Sequence, residues 1–324
     1  VSENGVQIIT GGAGFIGRCL TKRLLGRNLR VAGLDNFCRG NARNIAEFAD
    51  NPNFSMRRVD AADGTALEGA MCEALAGDDP ASATVWHLAA NSDIPAGVSD
   101  AGIDLRDTFM TTFNVLQTMR KLGMKKLAFA STSAVYGALD TTLHEDLGPL
   151  FPISNYGAMK LASEAAISAG VESFLSQAWL YRFPNVIGGY ATHGVIYDFA
   201  RRLRDNPARL EVLGDGTQQK AYLLVDELVD AMLFIRDKAT SPLNYYNIGP
   251  IDDGVTVKFI AEETVRVASP SAAIQYGKSK KGWVGDVPKF VYSTRKLNTL
   301  GWTPKVSSAE AIRTAIPLIW QESA

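Results

Sequence analysis

Short apolar runs alternate with longer segments in which apolar residues recur every three or four positions. The runs at 6–10, 30–34, 56–60, 84–90 and 126–130 are too short for helices and read as buried strands. Between them, 15–25 carries Ile16, Leu20 and Leu24 on one stripe, and 108–122 reads as a second helix. Regular alternation of strand and helix predicts an α/β fold built on a doubly wound parallel sheet, with ligands beyond the C-terminal ends of its strands.

From about residue 184 the pattern changes. Gly188-Gly189 breaks it, and 195–205 then forms a helical segment with Ile196, Phe199 and Leu203 on one side. A strand at 221–225 and a helix at 226–237 are expected to return to the first domain. Further helices are predicted near 257–267, 294–300 and 309–320. The expected organisation is a nucleotide-binding domain over 1–183, rejoined by about 220–237, and a smaller C-terminal α/β lobe, mainly 184–324. The cleft between them is the expected ligand site.

Composition narrows the partners. At 46% hydrophobic and 21% charged residues over 324 positions, the chain is an ordinary globular protein, and a net charge of −1 points to neither nucleic acid nor a membrane surface. Cys19, Cys38 and Cys72 lack metal-ligand spacing, and an odd number builds no disulfide framework, so no metal and a reducing cytoplasm are expected. No stretch approaches a membrane span, and no cleavable leader is read at the start.

The candidate chemistry lies at strand ends. Gly11, Gly14 and Gly17 follow the first strand and open a helix; glycine permits the tight turn and lets backbone approach a pyrophosphate. Asp35 closes the second strand, about twenty residues on, where a carboxylate binds ribose hydroxyls and repels a 2′-phosphate. Arg39 nearby pulls the other way, since an arginine can accommodate that phosphate. Asp60 ends the third strand, placed to meet an adenine edge. His87 in the fourth reads as a packed strand residue. Tyr156 and Lys160 stand four apart, just over one helical turn, so phenol and ammonium share a face. A neighbouring cation lowers a phenol's pKa, making it a usable base. The hydroxyl run Ser131-Thr132-Ser133 ends the fifth strand.

Several segments, in order and at these spacings, resemble the extended short-chain dehydrogenases/reductases of the nucleotide-sugar epimerase/dehydratase family. They are TGGAGFIG at 10–17, LDN at 34–36, HLAA at 87–90, STSAVYG at 131–137, YGAMK at 156–160, LGDGTQQKAYLLVDELVDA at 213–231 and LGW at 300–302. The likeness spans essentially the whole chain and is greatest to UDP-glucose/galactose 4-epimerases. It implies a Rossmann sheet and NAD held by Gly11, Gly14, Phe15, Ile16, Gly17, Asp35, Asn36, Asp60, Ala61, Leu88, Ala89, Ala90, Phe183, Tyr156 and Lys160. It implies Tyr156 as acid/base, Lys160 holding the nicotinamide ribose, and Thr132 bonding the reacting oxygen. Asn91, Ser92, Asp93, Ser133, Asn185, Lys220, Tyr222 and Trp283 are then the substrate-binding candidates, although Asp93 equally suits a helix cap. The resemblance also implies a homodimer through helices at 104–122 and 154–169, with Phe109, Phe113 and Leu116 meeting Leu161 and Ala165.

Departures from the family pattern select among reactions. Sugar 4,6-dehydratases carry Thr-Asp-Glu where this chain has Thr132-Ser133-Ala134, and the related decarboxylases keep a glutamate at the Ala134 position. Simple redox chemistry at one carbon remains. That means a C4 epimerase passing through a transient 4-keto sugar, or alternatively a dehydrogenase/keto-reductase that exchanges NAD(H). Lys220 and Trp283 stand where many epimerases grip diphosphate with arginine, and neither offers a bidentate fork. Lys278, Lys280 and Lys281 are nearby cations.

Overall fold

A computed structural model describes residues 5–279 and 291–322. Seven parallel strands form one sheet: β1 (Gln7–Thr10), β2 (Val31–Asp35), β3 (Phe54–Arg58), β4 (Thr84–His87), β5 (Lys126–Ala130), β6 (Gln177–Arg182) and β7 (Leu243–Asn247). Their order across the sheet is β7-β6-β5-β4-β1-β2-β3. β1, β2 and β4 are buried at every position, as strands covered by helices on both faces must be, which is why they read as unbroken apolar runs. Register pairs Thr10 with Leu34 on one side of β1 and with His87 on the other. The chain therefore leaves β1 toward opposite edges of the sheet, and this topological switch point is where open α/β sheets bind ligands.

The helices are α1 (Phe15–Leu25), α2 (Gly64–Leu75), α3 (Ile94–Ser99), α4 (Ala101–Asp104), α5 (Thr111–Leu122) and α6 (Asn155–Ser173). A π-helical turn, Leu105–Met110, joins α4 to α5 where the sequence predicts a plain helix from 108. Leu67, Met71, Val115, Leu116, Met119 and Phe129 fill one apolar cluster. Leu116 is thus a core residue and supplies no exposed contact, whereas Phe113 and Ala165 are exposed.

Two compact units partition the chain. The first comprises 1–135, 151–182 and 232–246; the second comprises 136–150, 183–231 and 247–324. The strand that rejoins the main sheet is β7, beside β6. The expected returning strand, Tyr222–Leu224, pairs instead with Asn185–Ile187 in a separate two-stranded sheet. In the second unit Phe199, Leu203, Ile260, Ile312 and Ile316 form a core of their own.

Candidate active site

The glycine turn is shaped by close approach. Gly11 has φ +75°, a left-handed conformation that strains any residue with a Cβ. A Cβ at Gly17 would overlap the Gly11 carbonyl oxygen, so α1 packs on the turn only because that position is bare. Gly14 precedes α1 as its N-cap and supplies no side-chain cap, and the first turn holds no acidic residue, leaving the helix's N-terminal N–H groups and positive dipole to an outside anion.

Asp35 closes β2 beside this turn. The Ala13 N–H donates to its Oδ2 at 3.0 Å and the Phe37 N–H to its Oδ1 at 2.7 Å. Burial raises its pKa, and the two N–H groups oppose that rise. The carboxylate is therefore pre-oriented by backbone at the turn. A bare glycine cradle, an uncapped helix terminus and a fixed carboxylate fit the pyrophosphate and ribose of a dinucleotide.

The second half of the site is on α6. Ser154 caps the helix, its Oγ accepting from the Gly157 N–H at 3.1 Å. A Cβ at Gly157 would lie 2.6 Å from the Ala134 carbonyl oxygen, so this glycine lets α6 close onto the hydroxyl run after β5. Tyr156, Lys160 and Glu164 then follow at four-residue steps on one face. Lys160 is 2% exposed; its Nζ donates to the Ala130 carbonyl at 2.6 Å and lies 4.6 Å from the centre of the Phe129 ring. Glu164 accepts from the Ser131 hydroxyl and from Arg182, with Nη2 to Oε2 at 2.6 Å and Nε to Oε1 at 3.0 Å. Ser131, next to Thr132, is thus tied through Glu164 to the helix that carries Tyr156.

Electrostatics here differ from the simple expectation. Tyr156 is pushed up to about 12, because burial outweighs the lowering by the Thr132 hydroxyl. Burial also brings Lys160 down to about 7, against the pull of the Glu164 and Asp104 carboxylates. The expected lowering of the phenol by its cation is thus not what this structure holds: desolvation disfavours both charged forms. Asp104 belongs to this group although no motif or spacing singles it out. Wholly buried, its Oδ1 accepts from the Asn91 amide at 2.8 Å, while its Oδ2 has no hydrogen-bond partner. Glu164 could have been found, being one turn beyond Lys160.

His87 is fully buried between the hydroxyls of Thr10 at 2.7 Å and Thr112 at 3.0 Å, and burial lowers it to about 3, which makes it a packed neutral strand residue as read. β4 ends at His87, so Leu88, Ala89 and Ala90 form a loop, not strand; the Ala89 N–H donates to Thr10 Oγ1 at 3.3 Å. Asn91 is engaged inside the protein: its amide also donates to the Asp93 carbonyl at 2.9 Å, and its Oδ1 accepts from the Asp93 N–H. Asp93 caps α3 through the Ala96 N–H and pairs with Arg39 at 2.6 Å. Asp60 pairs with Arg106 at 2.5 Å, Ala61 is in the core, and Asn36 accepts from the Cys38 N–H. Ser92 and Ser133 are partly buried.

Phe183, Asn185, Lys220 and Tyr222 belong to the second unit. There Asn185 is opposite Tyr222, and Lys220 is opposite Val255. Tyr222 is 4% exposed within that unit's apolar cluster. Lys278 is exposed, and Lys280, Lys281 and Trp283 lie outside the described residues.

Known proteins are similar to this chain in sequence and fold. A UDP-glucuronate 4-epimerase of Thermodesulfobacterium geofontis is 25% identical, covering 96% of this chain and 95% of its own. A solved UDP-galactose 4-epimerase superposes with a TM-score of 0.84 at 32% identity, covering 98% of this chain and 99% of that one. The UDP-glucose 4-epimerase of Thermus thermophilus, solved in complex with NAD, gives 0.82 at 30%, covering 97% and 98%. The NAD dependent epimerase/dehydratase family itself matches over residues 7–249, a span that holds the glycine turn, Asp35, Thr132, Tyr156 and Lys160. With most of its length so matched, the chain belongs to the NAD dependent epimerase/dehydratase family, whose enzymes use NAD.

Proposed function

We propose that this enzyme is an epimerase acting at C4 of a nucleotide-diphosphate sugar through a transient 4-keto intermediate, with NAD retained through turnover. The observation that carries the reading is that α6 holds Tyr156 and Lys160 on one face and closes at Gly157 onto the hydroxyl run after β5, in the same unit as the glycine turn. NAD bound at that turn supplies reversible two-electron redox at the sugar carbon. Gly11, Gly14, Gly17, Phe15 and Ile16 would line its pyrophosphate, and Asp35 would accept its ribose hydroxyls. Tyr156 takes the proton from the C4 hydroxyl and later returns it. Thr132 donates a hydrogen bond to the reacting oxygen, and Lys160 would hold the nicotinamide ribose. Asn185 and Lys220 are assigned to the substrate diphosphate.

Reaction class follows from which carboxylates can reach the sugar. Ser133 and Ala134 provide none, and Asp104 is buried with Oδ1 held by Asn91, so a dedicated pair for eliminating water is missing from the described residues around Tyr156. Exposed Val98, Leu105 and Phe113 near α5 support a homodimer through α5 and α6. Light scattering should then find twice the chain mass. Exposed free Cys38 and Cys72 suit a reducing cytoplasm.

Deuterium at C4 tests the reaction. An epimerase should yield product that keeps the label at C4, with no need for added NAD and no accumulation of reduced nicotinamide. Label appearing in free cofactor would make the enzyme a dehydrogenase instead.

A further inference from the structure

Two charges that the sequence leaves unconnected meet at the cofactor end of the first unit. β2 and β4 flank β1 with the same direction, so the segments after them leave the sheet on either side of the glycine turn. Arg39 comes from the segment after β2 and Asp93 from the segment after β4. Arg39 Nη2 and Asp93 Oδ2 are 2.6 Å apart, joining the two segments.

The Arg39 segment wraps the ribose-binding carboxylate. A Cβ at Gly40 would lie 2.7 Å from Asp35 Oδ1, so the backbone next to Arg39 rests against that carboxylate. The Asn41 N–H and the Asn44 amide both donate to the Ala13 carbonyl, at 3.2 Å and 2.9 Å, which fastens the segment to the glycine turn. An arginine rooted there is within a side chain's length of the position a 2′-phosphate would take, and arginine–phosphate pairs are strong and geometrically specific. In this chain the guanidinium is already engaged by a carboxylate.

We propose that Asp93 is a cofactor-specificity residue: by holding Arg39 it withholds that cation from a 2′-phosphate and keeps the site on NAD. The inference rests on the reading of the glycine turn and Asp35 as a dinucleotide site. Asp35 excludes the phosphate by direct repulsion, and Asp93 does so by removing the counter-charge that would rescue it. Arg39, which in isolation argues for NADP, thereby becomes compatible with NAD.

Calorimetric titration of NAD and NADP into full-length wild type, Asp93→Asn, Arg39→Gln and the double variant, each first freed of bound nucleotide, tests this without any sugar substrate. Asparagine keeps an oxygen for the Ala96 N–H, so the α3 cap survives while the charge is lost. Asp93→Asn should shift the NADP-to-NAD affinity ratio toward NADP by up to about fivefold, the range of an exposed ion pair. The shift should vanish in the double variant and shrink as salt is raised. An unchanged ratio in Asp93→Asn, or an equal shift in the Arg39→Gln background, overturns the proposal. Wild type that binds neither dinucleotide overturns the underlying cofactor reading and the proposal with it, and is distinguished from the first failure because there NAD still binds.

Discussion

On α6 and β6 the charged groups Lys160, Glu164 and Arg182 are each less than a tenth exposed, and each is held by a fixed partner: Lys160 by the Ala130 carbonyl, Glu164 by Ser131 and Arg182. After β2 and β4 of the same unit, Arg39 and Asp93 form an ion pair of similar length whose side chains are 43% and 39% exposed. Distance alone would rank the two pairs as equals. Burial separates them: the inner pair has been stripped of water and loses much if either partner goes, while the outer pair is screened and can exchange partners. The inner set is suited to fixing a reaction geometry, and the outer to biasing which ligand is accepted.

The largest effect belongs to the inner face. Tyr156→Phe keeps the ring and its packing but deletes the proton-transferring hydroxyl, so turnover should fall by about 10²–10⁴-fold with NAD binding retained. Steady-state kinetics together with cofactor titration checks both halves. Wild-type turnover in that variant would remove the phenol from the mechanism.

Next comes the buried pair. Glu164→Ala takes the carboxylate from a guanidinium that is 8% exposed and leaves the Ser131 hydroxyl without its acceptor. Urea unfolding should report a loss of about 3–5 kcal/mol. A cost below about 1 kcal/mol, as for a surface pair, would collapse the contrast between the two regions.

Lys160 offers a pH test of the same burial. Its folded value of about 7 lies below the ordinary 10.5, so between those values the unfolded chain binds the proton more tightly than the native state. Native stability should therefore rise with pH across that window and be flat in this respect below about pH 7, where both states are charged. Lys160→Met removes the titration, so wild type should gain on this variant in unfolding experiments from about pH 7 to about pH 10. A constant difference across the window would mean that Lys160 is not desolvated.

How much of this could be read in advance varied with what each residue depends on. β1, β2 and β5 were legible because a strand buried on both faces must be a continuous apolar run. β7 was not: Leu243-Asn244-Tyr245-Tyr246-Asn247 buries two asparagines, and Asn244 is tolerated only because its amide donates to the Ala178 and Ser241 carbonyls. Such polar satisfaction is a tertiary fact. Tyr156 and Lys160 were legible as one-turn neighbours, yet their shifted acidities arise from burial that no spacing encodes. Asp104 and the Arg39–Asp93 pair were invisible for a related reason, since each joins segments brought together only by the order of strands in the sheet or by the π-turn after α4.

The smallest effect sharpens the comparison most. Asp93→Asn removes the charge of an ion pair whose members are both about two-fifths exposed, so water replaces most of what is lost. The asparagine oxygen still accepts from the Ala96 N–H, and the residue before α3 keeps its capping role. Stability should change by no more than about 0.5 kcal/mol, and that change should fade as ionic strength rises past about 0.15 M. Thermal melts at low and high salt measure it directly. A salt-independent loss as large as that of Glu164→Ala would mean that Asp93 carries structural weight inside the loop. Cofactor preference and stability would then move together, where an exposed pair should move the preference alone.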